Sequence, residues 1–287
     1  YQHMAIYPEP GTALWLAAAF AGAALLAVLV RPPRAAISLA LIAAAALAVR
    51  AAGLGQWELD PARRDMLPLV QSACDALLAG ESPYGLHQMQ VGSQVPLTYP
   101  PGLWLLHLPA RALGLDIRWT GVLADAAIAA GLGAAALGTG GRGRAHAAGA
   151  GPALLAIAVY LFLPDTHWNG VYAEPHADWA VLALLVAATS ARRPLLVGIL
   201  LGAALATRPF NLVLAPLVLL WWRRGFGWRW ALRGTLVAGA IAAALFTPFV
   251  AASPDAFFFG TVRWLLEYGP AHASWFHGML GVSGPLY

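Results

Sequence analysis

WTGVLADAAIAAGLGAAAL, residues Trp119–Leu137, holds a single charged residue, Asp125, in an otherwise apolar and small-residue run. A helix rises about 1.5 Å per residue, so this run matches the roughly 30 Å hydrocarbon core of a bilayer. Arg142 and Arg144 follow it, as basic residues follow a membrane span on its cytoplasmic side. The composition extends that reading to the whole chain. Of 287 residues 60% are hydrophobic and 10% charged, against roughly 25% charged in soluble proteins. A soluble globule is therefore excluded, and about 20 apolar residues per crossing leave room for about six to eight spans. The net charge of +4 is no sign of nucleic-acid binding, because the arginines sit mostly in short turns between apolar runs. Cys74 is the only cysteine, which rules out an intrachain disulfide and a cysteine-based metal site.

Working outward from Trp119–Leu137, further apolar runs cover Thr12–Val30, Ala35–Val49, Ala147–Leu163, Trp179–Thr189, Leu195–Ala206, Leu212–Trp222 and Thr235–Val250. The fold class expected is all-α: a polytopic transmembrane helical bundle forming one domain over residues 1–287. It reads as incomplete at its C-terminus, since the chain stops at Tyr287 without a polar tail. Positive charge in short loops marks the cytoplasmic side, which places Arg31/Arg34, Arg142/Arg144, Arg192/Arg193 and Arg223/Arg224 inside. The polar stretch 57–94, the loop 165–178 and the segment after 250 then all fall outside. This holds only if Leu103–Leu115 makes no net crossing. That run is short and interrupted by His107, Pro109 and Arg111, so it reads as re-entrant or interfacial. A real crossing there would put Arg142 and Arg144 on the wrong side.

In the first external loop, 57–94, apolar residues from Met66 to Leu78 recur at helical spacing, and Gly80 is a fitting stop. Pro68 is tolerated only in a first turn, so a surface helix is expected over about 66–79 with Asp65 as N-cap. Its apolar stripe is expected to lie along the bilayer surface, with Asp75 solvated on the polar side. Ser82-Pro83-Tyr84-Gly85 and Thr98-Tyr99-Pro100-Pro101-Gly102 then force an extended return to the membrane.

A span, then an acid, then a helix ending in ALLAGESPYG (Ala76–Gly85), then TYPPG (Thr98–Gly102) opening the next apolar segment: this order resembles the N-terminal half of the GT-C-fold glycosyltransferases. It is closest to family 87 and related branches that use polyprenyl-phosphate mannose, over roughly residues 35 to 250. The resemblance implies a catalytic aspartate in the first external loop, which is Asp65, and juxtamembrane helices roofing the active site. It also implies a basic residue after a small-residue helix, here Arg208, facing the lipid-linked phosphate.

Each candidate also has a plainer role. Asp65 is either the base that takes a proton from an acceptor hydroxyl or only a helix cap. Arg63 and Arg64 at the membrane surface serve either the lipid phosphate or ordinary headgroups. Arg208, between two short apolar runs, is costly there unless paired or facing a wet cavity; it either binds phosphate or caps a broken helix. Asp125 is expected to pair with an arginine of a neighbouring helix. In the loop Asp165–Asp178, Trp168, Asn169, Glu174, His176 and Asp178, with Tyr84 and Tyr99 from the first loop, form a candidate rim for sugar or acceptor. Glu174, His176 and Asp178 on one short loop are a weak pattern for a metal, and no metal or cofactor is expected. No Gly-rich phosphate loop is present, so a lipid carrier would bring the sugar.

The function expected is inverting transfer of a sugar, mannose by resemblance, from a polyprenyl-phosphate carrier to a glycan, glycolipid or protein hydroxyl. The expected place is the extracytoplasmic face of the plasma membrane, with membrane lipid as a partner and no nucleic acid. The alternatives are a polytopic transporter or lipid-linked sugar flippase, and a non-catalytic membrane subunit. Transporters gather polar groups at the midplane and show paired broken helices in related halves, whereas here the polar residues gather in the segments assigned to one side.

Overall fold

The structure, a computed structural model, describes residues 35–54, 66–90, 93–138, 145–162 and 174–267, together with 22, 59 and 61. The expected span Thr12–Val30 and the residues Asp60, Arg63, Arg64, Asp65, Arg142, Arg144, Trp168 and Asn169 lie outside the described residues. The described residues are mostly helical. Among the described residues, three helices are long and apolar enough to cross a membrane, over Ile37–Leu54, Trp119–Ala136 and Trp228–Ala252. In the last, only Ala231, Gly234 and Ala238 are buried within the protein, and Trp228, Leu232 and Leu236 are exposed. That much bare apolar surface suits contact with lipid rather than water.

Helix α1 (Ala35–Leu54) leads to α2 (Met66–Leu78), a β-hairpin of β1 (Leu86–Gln90) and β2 (Ser93–Pro96), and the short α3 (Pro101–Trp104) and α4 (Leu108–Ala112). Then come α5 (Trp119–Gly138), α6 (Ala145–Phe162), α7 (Ala177–Ser190), α8 (Pro194–Leu205), α9 (Leu214–Phe226) and α10 (Trp228–Ala252). The described residues end with α11 (Pro254–Phe258) and a wider turn into Trp264–Glu267. Helix α5 packs on α7, α7 on α8, and α8 on α10, while α1 and α6 pack on α5. Small residues set the close approaches. A Cβ at Gly198 would come within 3.0 Å of the Gly234 carbonyl, and one at Gly202, a turn later, would strike the Ala238 carbonyl. The two glycines therefore bring α8 and α10 together backbone to backbone.

Side-chain contacts fix the helix directions. Arg50 meets Asp125 near one end of α1 and α5, and Leu39 lies against Gly133 near the other, so these two helices run antiparallel. Near the first end, α1 and α6 both meet the start of α5; near the other, Arg192 Nη2 donates to the Gly225 carbonyl. The segment 101–118 begins and returns at the Arg50 end. Gly102 N–H donates to the Ala206 carbonyl at 2.9 Å, and Arg118 Nη2 donates to the Leu54 carbonyl at 3.0 Å. Its pieces, α3, a 3-10 turn over Leu105–His107 and α4, are each too short to cross a bilayer.

The surface helix falls where its periodicity places it, and Gly80 takes the left-handed φ of 79° that ends it. Two details differ from expectation. Its apolar side is covered by protein rather than left for lipid: Leu67, Val70, Ala73 and Cys74 are buried with Trp104, Tyr84, Leu97 and Ile117. Burial pushes the Cys74 thiol up to about 12, with Asp75 adding to the effect, so this thiol is unreactive. Asp75 is not simply solvated, because Arg111 of α4 grips it with Nε and Nη2 at 2.9 and 3.0 Å. The extended return is in fact the antiparallel hairpin, with Leu86 opposite Pro96 and His87 opposite Val95, which adds one small sheet to the helices. His87 locks it to α2, its ring bonding Ser72 Oγ and the Pro83 carbonyl, each at 2.8 Å.

Candidate functional site

The break after α8 is built by local hydrogen bonds. Thr207 Oγ1 donates to the Ala204 carbonyl at 2.7 Å, and Asn211 Nδ2 donates to that carbonyl and to Thr207 Oγ1. Gly102, at the end of the TYPPG segment, docks on Ala206 beside them, where any side chain would strike the Ala206 carbonyl. Arg208 is thereby held extended, at φ −144° and ψ 136°, just before the 3-10 turn Pro209–Val213.

Its guanidinium is held from the other side. Nε donates to Asp178 Oδ2 at 2.6 Å, and Nη2 donates to the Pro175 carbonyl at 3.1 Å. Asp178 lies in the first turn of α7 and is 2% exposed, whereas the Arg208 side chain is 24% exposed. The pair is thus sealed on its acidic side and open on its basic side. Asp178 Oδ1 is buried and accepts no hydrogen bond from the described residues. An arginine edge held this way is suited to a phosphate, which its planar fork meets with two parallel bonds.

A second polar network lies deeper. Arg50 Nε meets Asp125 Oδ2 at 2.5 Å, with both side chains 1% exposed. Arg50 Nη1 also donates to the Leu161 carbonyl, and Tyr160 donates its hydroxyl to Asp125 Oδ1 at 3.0 Å. His176 Nε2 lies 3.3 Å from the same oxygen. Three helices and the segment leading into α7 therefore meet at one carboxylate, and the arginine partner expected for Asp125 is Arg50. Because His176 reaches Asp125 while Pro175 and Asp178 hold Arg208, residues 175–178 join the two networks. Fully buried His107 lies close by; burial pushes its imidazole down to about 4, opposed by the nearby Ile117 backbone, with His176 lowering it further.

The remaining candidates are placed unevenly. Glu174 is half-buried, and its carbonyl faces His176 Nδ1 at 3.4 Å. Tyr84 is 2% exposed and sits in an aromatic cluster with Trp104, Phe249 and Phe257. Its hydroxyl donates to the Tyr99 carbonyl at 3.0 Å and accepts from Trp104 Nε1 at 3.2 Å, and burial pushes its pKa up. Tyr84 thus braces the TYPPG segment that docks beside Arg208. The structure brings together Arg208, Asp178, His176 and Glu174, while Asp65, Arg63, Arg64, Trp168 and Asn169 lie outside the described residues. Arg50 and Tyr160 were missed as site neighbours; the only signal was that a membrane-buried Asp125 needs a cation. Among the described residues, no three of His, Cys, Asp and Glu converge as a metal would require. No family model matches the chain, and no curated protein or solved structure matches it.

Proposed function

We propose that the chain is a multi-pass GT-C-like glycosyltransferase with its active site on the extracytoplasmic face of the plasma membrane. The donor is a polyprenyl-phosphate sugar, mannose by resemblance, and the acceptor is a hydroxyl of a glycan, glycolipid or protein. The observation that carries this reading is Arg208: a half-open guanidinium at the bundle end where the TYPPG segment docks, supported from beneath by a buried carboxylate.

In the reaction, the Asp65 carboxylate takes the proton from the acceptor hydroxyl as that oxygen bonds to the anomeric carbon. The bond from that carbon to the phosphate oxygen breaks, the polyprenyl phosphate leaves with the electron pair, and the configuration inverts. Arg208, with Arg63 and Arg64, stabilises the charge that develops on the departing phosphate. Trp168, Asn169, Glu174 and His176 line the sugar and acceptor rim. Arginines neutralise this leaving group, so the scheme calls on no metal.

A second reading, a transporter or lipid-linked sugar flippase, draws on the buried Arg50–Asp125 pair part-way along α1 and α5, since charges inside membrane segments often mark transport paths. Covalent transfer of the sugar separates the two readings, and within the first Asp65→Asn separates a catalytic base from a plain helix cap. Asparagine caps a helix about as well as aspartate but takes no proton. In a radiolabelled transfer assay the variant should insert normally and transfer sugar at least about a hundredfold more slowly. Near-normal transfer would reject the assignment and move attention to Asp60 and Glu58.

A further inference from the structure

We infer that Asp178 is a positioning residue: it orients Arg208 toward the lipid-linked phosphate. The inference rests on the function proposed above. Arginine has five N–H donors, and two of them are spent on residues 175–178, one from Nε on Asp178 and one from Nη2 on Pro175. Both bonds lie on one side of the fork, and the side chain keeps 24% of its surface exposed. The carboxylate cannot follow a ligand outward, because it is 2% exposed and fixed in the first turn of α7. The backbone of Arg208 is held too, its carbonyl accepting from Asn211 N–H at 3.1 Å. Anchored at both ends and set over the Phe210 ring at 5.9 Å, the guanidinium keeps its remaining donors on the side away from Asp178. An arginine placed before the donor arrives needs no rearrangement as charge develops on the leaving phosphate.

A purely structural ion pair would have no such bearing on turnover. The test is a double-mutant cycle on Asp178→Asn and Arg208→Ala, using the full chain in vesicles with radiolabelled polyprenyl-phosphate mannose. Asp178→Asn should lower kcat by about tenfold to a hundredfold with little change in donor KM, since misplacement of about 1 Å costs on that order. Asp178→Glu should recover part of the loss. The double variant should transfer no more slowly than Arg208→Ala alone, because Asp178 acts only through Arg208. Arg208→Lys, which keeps Asp178 intact and its charge paired, covers the case in which Asp178→Asn does not fold. It should also lose turnover, because lysine has no fork to orient. Wild-type rates from Asp178→Asn or from Arg208→Lys would overturn the inference, as would losses that multiply in the double variant. A wild-type protein that transfers no sugar would instead remove the function reading and the inference with it.

Discussion

The two Arg–Asp pairs, Arg50–Asp125 and Arg208–Asp178, have the same chemistry and opposite surroundings. In the first, both side chains are 1% exposed and meet carbonyl, hydroxyl and imidazole groups, while buried Arg50 Nη2 has no hydrogen-bond partner among the described residues. In the second, the acid is as deeply buried but the base keeps a quarter of its surface open. A buried ion pair seldom adds net stability over apolar residues of equal size, yet losing one partner strands the other. The closed pair therefore fixes how α1, α5 and α6 meet. The open pair leaves its cation partly exposed, and residues 175–178 touch both pairs.

The largest loss of stability is expected at Asp125. Asp125→Ala leaves Arg50 buried without its carboxylate, at a cost of about 3–5 kcal/mol, and thermal unfolding in detergent should show it as a large fall in midpoint. Replacing Arg50 and Asp125 together by Met and Leu should recover most of that loss. If the single variant is as stable as wild type, the first pair is not the structural tie described here.

At the open pair, stability and activity should separate. Arg208→Ala strands buried Asp178 and should lower stability as well as slow transfer by about 10²–10³-fold, the range for removing one stabiliser of transition-state charge. Adding Asp178→Asn should restore the unfolding midpoint and leave transfer slow. Recovery of both together would place Arg208 in the same structural role as Arg50.

A smaller effect tests the closed side by pH. The folded-state pKa of His107 is lowered from 6.5 to about 4, so the unfolded chain binds the proton first. Its contribution to stability is complete above pH 6.5 and is lost as pH falls toward 4, at about 1.4 kcal/mol per unit. His107→Gln should flatten the unfolding midpoint across that window. Asp116, held below its ordinary 3.8 by Arg118 despite the opposing effect of burial, acts only at lower pH: its stabilising effect is present above 3.8 and lost as pH falls through the folded value. An unchanged slope in His107→Gln would show that this histidine is not kept neutral by burial.

The sequence made some of this legible and concealed the rest for physical reasons. Apolar runs between arginines mark α1, α5 and α10, because bilayer thickness fixes a length that composition alone reveals. Periodicity and Gly80 mark α2, because a one-sided apolar stripe and a left-handed stop are local properties. The need of Asp125 for a cation was visible, but its partner lies 75 residues earlier, at Arg50, and no local pattern encodes such a pairing. Asp75 reads as a solvated residue on a polar face until α4 folds back and Arg111 reaches it. The role of Tyr84 was hidden for the same reason: a tyrosine beside prolines looks like a binding residue, and only tertiary packing against Trp104 and Phe257 spends its hydroxyl on the backbone of Tyr99.

Whether sugar moves covalently is the question on which all this depends. The direct measurement supplies sealed vesicles holding the wild-type chain with polyprenyl-phosphate mannose labelled in the sugar, and follows the label by separating donor from glycosylated product. Label should become covalently attached to an acceptor, with polyprenyl phosphate released in equal amount. Intact labelled donor that crosses the bilayer, with no label on any acceptor, would contradict covalent transfer and favour transport.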